Sequence, residues 1–254
     1  MEKCRADKML VQLGLAGTRS KAAQMIERGE VTYKGEVLKK ASQIVEGEGL
    51  EITSEHTYVG RGAYKLIKAI EEFKLKLDGK TVADIGASTG GFTEVSLLKG
   101  AKKVFAIDVG HEQLDPILVK DERVINLEGT NIRELETLGE LVDLVVVDLS
   151  FISLDIVFKD IIKHLKDDGE GVFLVKPQFE LSKSSLGKKG IVRDPEKLLE
   201  ALEKNFELLK PQGVCVSPIR GKEGNKEFLF YYVKAKTKAG VKIEDLKNLI
   251  LENK

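Results

Sequence analysis

The chain has 254 residues, 42% hydrophobic and 32% charged, enough for a mid-sized globular domain plus a small one and unlike the composition of a disordered chain. No stretch reaches the roughly 18 uncharged apolar residues of a membrane helix, and MEKCRADKML holds no apolar signal core, so a cytoplasmic protein without membrane contact is expected. Lys and Arg balance Asp and Glu at 41 each, yet residues 1–45 carry nine bases against five acids, an excess of +4 that leaves −4 for the remainder. A basic module joined to an acidic body suits electrostatic docking on nucleic acid, and ordinary charge scatter would give the same count. Cys4 and Cys215 have no Cys or His near them at ligand spacing, so free thiols are expected, with no disulfide and no metal site.

The opening segment reads as a helix from Ala6 to Leu13, a second from Ser20 to Arg28, and a ribbon at VTYKGEVL. Thr18 or Ser20 suits the cap of the second helix, and Gly29 stands where a left-handed cap is wanted. Lys34-Gly35 between VTY and EVL predicts a hairpin turn. Arg5, Lys8, Arg19, Lys21 and Arg28 gather on the helix pair and its junction. Residues 46–60 carry acids, Gly and Thr with no strong period and hold the junction, the linker proper being set at 56–61 between domains 1–55 and 62–254.

From a helix near Gly62 onward, strands and helices alternate. TVADIGA, KVFAIDV, RVINLEG, LVDLVVVDL, EGVFLVKP, GVCVSPIR and EFLFYYVKAK are the predicted strands, several of them unbroken Val- and Ile-rich runs, as in strands covered on both faces. The fold class is therefore α/β, a doubly wound Rossmann-like sheet behind a small N-terminal α+β domain. The last two strands are expected to form an antiparallel hairpin at a sheet edge, joined by a short polar turn.

Asp84-Ile85-Gly86-Ala87-Ser88-Thr89-Gly90-Gly91-Phe92 ends a strand and opens a helix, where glycines let a ligand approach the backbone. It is not G-x-G-x-x-G, which counts against a nicotinamide cofactor. Asp108 ends the next strand, where a carboxylate can take both ribose hydroxyls of a nucleoside. With Asp84 and the turn it suits S-adenosylmethionine, while a tight structural turn is the plain alternative. Thr130 and Asn131 after the third strand either border the adenine or, for Asn131, cap a helix.

Four charged residues sit at the ends of apolar elements: Lys65 on the helix leading into the domain, Asp148 closing LVDLVVVD, Lys176 closing GVFLVK, and Glu227 opening EFLFYY. Burying an unpaired charge is costly, so a common site at the carboxyl ends of the strands is expected.

RADKMLVQLGLAGTRSKAAQMIERGEVTYKGEVLKKAS resembles the S-four RNA-binding domain, whose helix pair presents basic residues to structured RNA. The ordered set Lys65, Asp148, Lys176, Glu227 resembles the catalytic tetrad of the FtsJ-like ribose 2′-O-methyltransferases. Together with RGAYKL, DIGASTGGFTE, DLSFISL, LVKPQFE, GIVRDP and SPIRGKEGNKEF, the chain from about residue 5 to about 235 is similar to the TlyA (hemolysin A) family of ribosomal RNA methyltransferases. The match is weakest over DPILVKDERVINLEGTN, and the tail after Lys236 is unmatched.

The resemblance implies S-adenosylmethionine as cofactor, ribosomal RNA or ribosomal subunits as partner, a cytidine ribose as target, and no obligate protein partner. Lys176 would orient the 2′-hydroxyl and accept its proton, in a neutral form that a second cation, Lys65, favours; Asp148 and Glu227 would hold the two ammonium groups. Rival expectations are an RNA-binding protein with an idle methyltransferase fold, a membrane-lytic protein, and a base-methylating enzyme. The loop SKSSLGKKGIVRDP, with Lys183, Lys188, Lys189 and Arg193, reads equally as a cover over RNA phosphates or as a solvated surface.

Overall fold

A computed structural model describes residues 3–27, 29–52, 58–182, 185–187, 190–221 and 223–252, the side chains of 251 and 252 excepted. Arg28, Lys183, Lys188 and Lys189 lie outside the described residues, as does part of the expected linker. The chain divides into two compact units, Met1–Tyr58 and Val59–Lys254.

The first unit holds β1 (Cys4–Arg5), α1 (Ala6–Gln12), α2 (Arg19–Glu27), β2 (Val31–Tyr33), β3 (Glu36–Val37), β4 (Ile44–Val45) and β5 (Leu50–Ile52). Ala6, Met9 and Leu10 on α1 share a small core with Ala22, Met25 and Ile26 on α2 and with Val31, Leu38 and Val45. The Lys21 N–H donates to Thr18 Oγ1 at 3.2 Å, so Thr18 rather than Ser20 caps α2. Lys34 and Gly35 both take positive φ, 53° and 83°, which matches the twist of the β2–β3 hairpin. The stretch 46–60, read as having no strong period, contains a strand. β5 pairs antiparallel with β2, so Leu50–Ile52 completes a three-stranded sheet instead of joining domains. Three residues are too few for a period to be read, and the strand forms because Leu50 is buried in this core.

The second unit runs α3 (Gly62–Phe73), β6 (Thr81–Ile85), α4 (Gly91–Leu98), β7 (Lys103–Asp108), α5 (Pro116–Val119), β8 (Val124–Glu128), β9 (Val142–Val147), α6 (Leu154–Ile162), β10 (Leu165–Val175), α7 (Pro177–Glu180), α8 (Pro195–Leu209), β11 (Gly213–Val216), β12 (Phe228–Val233) and α9 (Ile243–Glu252). Its sheet has the order β11-β12-β10-β9-β6-β7-β8, with β12 antiparallel to both neighbours. Val145, Val147, Phe173, Val175, Phe228 and Phe230 stand on one face and pack under Val157 and Ile161 of α6 and Leu202 and Phe206 of α8.

All seven predicted strands lie in this one sheet, with two differences. The connection from β11 to β12 is no short turn: it spans the eleven residues 217–227, and among its described residues Ser217, Asn225 and Glu227 are buried. β10 starts at Leu165, five residues before EGVFLV, after an irregular stretch in its pairing with β9. The tail is also part of the domain, because Leu246 and Ile250 of α9 are buried in the main core.

β6 lies between β7 and β9, and the chain winds away from it in opposite directions. The crevice outside the carboxyl ends of such strands is where doubly wound sheets take ligands. Those ends carry Ile85-Gly86, Asp108, Asp148 and Lys176.

Candidate active site

The four charged residues meet. Glu227 Oε2 lies 2.7 Å from Lys65 Nζ, which lies 3.2 Å from Asp148 Oδ2, and Asp148 Oδ1 lies 2.6 Å from Lys176 Nζ. The line ends on Ser150, whose Oγ is 2.8 Å from Lys176 Nζ. Lys65, Lys176 and Glu227 are buried, and two ammonium groups cancel two carboxylates. Such cancellation makes burial tolerable, since removing one partner of a buried pair costs about 3–5 kcal/mol.

Each element delivers its residue for a local reason. Lys65 lies on the buried face of α3 with Ala63, Leu66 and Ala69, so its ammonium arrives among the strand ends. Asp148 and Lys176 follow the last residues of β9 and β10. Glu227 reaches the same end because β12 runs antiparallel to β10, pairing Phe228 with Val175. Burial disfavours the charge on Lys65, but Asp148 and Glu227 outweigh it and hold its pKa above the ordinary lysine value. Burial likewise opposes ionisation of Asp148, and Lys65 and Lys176 reverse this, leaving its carboxyl below the usual range.

The glycine turn lies beside this line. Gly86 has φ +87°, and a Cβ there would sit 2.6 Å from the carbonyl oxygen of Asp148. Only a bare backbone allows that approach. At Gly91 a Cβ would sit 2.8 Å from the Ala63 backbone nitrogen, which fixes the start of α4 against the start of α3. Ser88 takes φ 48°, and Ala87 is buried. The carbonyl of Thr89 accepts from the Asp115 N–H, and the carbonyl of Gly90 from the Glu94 N–H. Phe92 is buried, and a Cβ added at Gly62 would sit 3.5 Å from its ring.

Asp84 is fully buried beneath the turn. Its Oδ2 accepts from the Thr93 hydroxyl at 2.7 Å, and its Oδ1 has no partner. Burial, helped by the nearby Asp148 and Asp108 and opposed by Thr93, pushes its carboxyl up to about 7. At the end of β7, Asp108 Oδ2 accepts from the Ser88 N–H and Oδ1 from the Gly110 N–H, both at 2.8 Å. A carboxylate oxygen that accepts one such bond keeps a second lone pair for a ribose hydroxyl. The residues fit the cofactor that the turn suggests: a cradle closed to side chains, an orphaned buried carboxylate oxygen suited to a cation, and an oriented carboxylate one strand away.

Asn131 is engaged locally. Its Oδ1 accepts from the Arg133 N–H at 3.1 Å and its Nδ2 donates to Glu134, so it caps the turn that follows β8. Thr130, partly buried, donates its backbone N–H to the Asp108 carbonyl at 2.9 Å.

Three further residues belong to the site that sequence reasoning does not single out. Phe151 has φ 65°, is 90% exposed, and its ring lies 5.0 Å from that of Phe179, which in turn lies 5.9 Å from Lys176 Nζ. Glu180 ties down the far end of the same loop: it accepts from the Leu154 N–H at 3.0 Å and from the Ser153 hydroxyl at 2.5 Å. Ser150 is the third. Ser150 and Phe151 fall in DLSFISL and Glu180 in LVKPQFE, so the signal is present in the sequence as conspicuous words without assigned roles.

In the first unit, Arg5, Lys8, Arg19 and Lys21 are all exposed. Two of them are not independent cations. Buried Asp7 accepts from Arg5 at 3.0 Å and from Arg19 at 2.9 Å, and these guanidinium groups, Arg5 foremost, bring its carboxyl down to about 2. Among the described residues no group of His, Cys, Asp and Glu is arranged to hold a metal, and no helix is long and apolar enough to cross a membrane.

Residues 58–234 match the FtsJ-like methyltransferase family and residues 4–52 match the S4 domain. The chain belongs to the TlyA family of ribosomal RNA methyltransferases. It is 40% identical over 258 aligned positions to the 16S/23S rRNA (cytidine-2′-O)-methyltransferase TlyA of Mycobacterium tuberculosis, covering 98% of this chain and 96% of the relative. With the 23S rRNA (cytidine-2′-O)-methyltransferase TlyA of Campylobacter jejuni it shares 36% identity, over 85% of this chain and 94% of the relative. Among solved structures, a putative hemolysin from Streptococcus thermophilus superposes with a TM-score of 0.77 at 36% identity, covering 99% of this chain and 96% of the other. The FtsJ-like family is one that uses S-adenosylmethionine, in keeping with the cradle described above.

Proposed function

We propose that this TlyA-family protein methylates the ribose 2′-hydroxyl of a cytidine in ribosomal RNA, in the cytoplasm, with S-adenosylmethionine as the methyl donor. The observation that carries this is the continuous line Glu227, Lys65, Asp148, Lys176 at the strand ends beside the glycine turn. Asp84 would hold the amino-acid end of the cofactor, the backbone of Gly86–Gly91 would cradle it, and Asp108 would take the ribose hydroxyls. When bound, the cofactor supplies an activated methyl on a sulfonium centre and leaves as a neutral thioether.

Lys176, once its ammonium has given a proton to solvent, orients the target hydroxyl and takes its proton at Nζ as the new O–C bond forms. Asp148 fixes Lys176 from one side and is itself fixed by Lys65, which Glu227 anchors. Proton acceptance by a placed base contributes about 10²–10⁴-fold, and alignment of hydroxyl and methyl about 7 kcal/mol or more. Phe151 gives an exposed aromatic face beside Lys176 on which an unstacked base can rest, a contact worth about 1–3 kcal/mol per base. The N-terminal unit docks on RNA through Arg5, Lys8, Arg19, Lys21 and Arg28.

The test is a transfer assay with tritiated-methyl cofactor and ribosomal RNA, followed by digestion to nucleosides. Label in 2′-O-methylcytidine is the expected result. Label in a methylated base, or none, would overturn the proposal.

A further inference from the structure

We propose that Ser150 is a positioning residue for Lys176: by occupying one donor of the amine it aims the remaining position at the ribose hydroxyl. This rests on the reading of Lys176 as the proton acceptor.

An amine nitrogen has four tetrahedral directions, one taken by the side-chain stem. On Lys176 a second points to Ser150 Oγ at 2.8 Å, while Asp148 Oδ1, 2.6 Å away, pairs with the amine by charge and outside hydrogen-bond geometry. A neutral amine has two N–H donors and one lone pair. With one donor held by Ser150, rotation about the Cε–Nζ bond is stopped, and the second donor and the lone pair keep fixed directions. With only the ion pair to Asp148, which is not a directed hydrogen bond, the amine would rotate about the Cε–Nζ bond, and the lone pair would face the substrate for only part of the time. Ser150 therefore acts on the orientation of the amine.

The loop is built to keep Ser150 there. Its first residue follows Asp148, which is gripped by two ammonium groups. Its last, Ser153, stands just before α6, and both the Ser153 hydroxyl and the Leu154 N–H are held by the buried carboxylate of Glu180. Lys204 of α8 closes this end by donating to Ser153 Oγ at 2.8 Å and pairing with Asp155 at 3.1 Å. Between the two ends Phe151 takes φ 65°, a conformation that non-glycine residues hold only when the surroundings over-determine it. Ser150 itself is exposed, so changing its side chain leaves the core intact.

The experiment compares wild type, Ser150→Ala, Ser150→Thr and Lys176→Ala in single-turnover methylation at saturating RNA and cofactor, with cofactor affinity and melting temperature measured on each. Ser150→Ala should lower the saturated rate by about 10- to 100-fold with KM for RNA, cofactor affinity and melting temperature unchanged, and Ser150→Thr, which keeps the hydroxyl, should recover most of the rate. A wild-type rate in Ser150→Ala, or a loss confined to KM, would overturn the positioning role if Lys176→Ala is inactive. Activity in Lys176→Ala would instead overturn the reading on which this role depends.

Discussion

A buried ammonium group is stable only beside a counter-charge, and here each of two carboxylates serves this need differently. Glu227 holds Lys65 alone, whereas Asp148 divides its two oxygens between Lys65 and Lys176. The shared carboxylate makes Lys176 the member with an open side. Lys176→Ala should abolish methyl transfer, by at least about 10²-fold, while S-adenosylmethionine affinity stays within about tenfold, as calorimetry alongside a tritium-transfer assay would report. Asp84 has the opposite emphasis. Its carboxyl titrates near 7, raised chiefly by burial, and its free oxygen suits a cation only when ionised. Raising the pH from about 6 to 8 removes the proton that competes with the ligand's ammonium, so cofactor binding should tighten across that range and release a proton below about 7. Asp84→Asn should flatten the dependence, and an unchanged pH profile in that variant would exclude Asp84 as the contact.

At the scale of elements, the site depends on loops that leave the sheet at its switch point. Gly86→Ala would force a Cβ to 2.6 Å from the Asp148 carbonyl oxygen at a residue with φ +87°. The expected outcome is about 1–3 kcal/mol of destabilisation, read as a lowered melting temperature, with weaker cofactor binding. The strands are legible in the sequence because Val- and Ile-rich runs such as VDLVVV allow no other burial, and the tetrad is legible because three of its members end or open such runs. Asp84 and Asp108 are legible for the same reason. The conformation of residues 149–153 is not, because nothing local in Leu-Ser-Phe-Ile-Ser asks Phe151 to take φ 65°, and the bonds that hold the loop's far end come from Glu180 and Lys204, far along the chain. β5 is hidden by its length, and the β11–β12 connection because its hold is tertiary: Asn225 Oδ1 accepts from the Val192 N–H at 2.9 Å.

For the whole molecule, the proposed function divides the work between the two units, one finding RNA and the other modifying it. The docking cations belong to the first unit and the tetrad to the second, so the cations should govern RNA affinity and leave the cofactor untouched. Taking one Lys or Arg away from a phosphate flattens the plot of log affinity against log salt by about 0.7–0.9. Arg19→Ala with Lys21→Ala should therefore weaken RNA binding most at low salt and leave S-adenosylmethionine affinity unchanged. Arg19 is paired with Asp7, so its removal also leaves that carboxylate with Arg5 alone. Its share of the salt slope measures how far the pairing leaves Arg19 open to phosphate. A saturated single-turnover rate equal to wild type would assign the unit to docking, and a lowered one would show that it also prepares the RNA or the catalytic domain.

The most direct test of the central claim is a map of ribose methylation in ribosomal RNA from cells that make the wild-type protein, the Lys176→Ala variant, or neither. The account predicts at least one 2′-O-methylated cytidine present with the wild type and absent from the other two. Identical maps in all three, or a methylation that persists with Lys176→Ala, would contradict it.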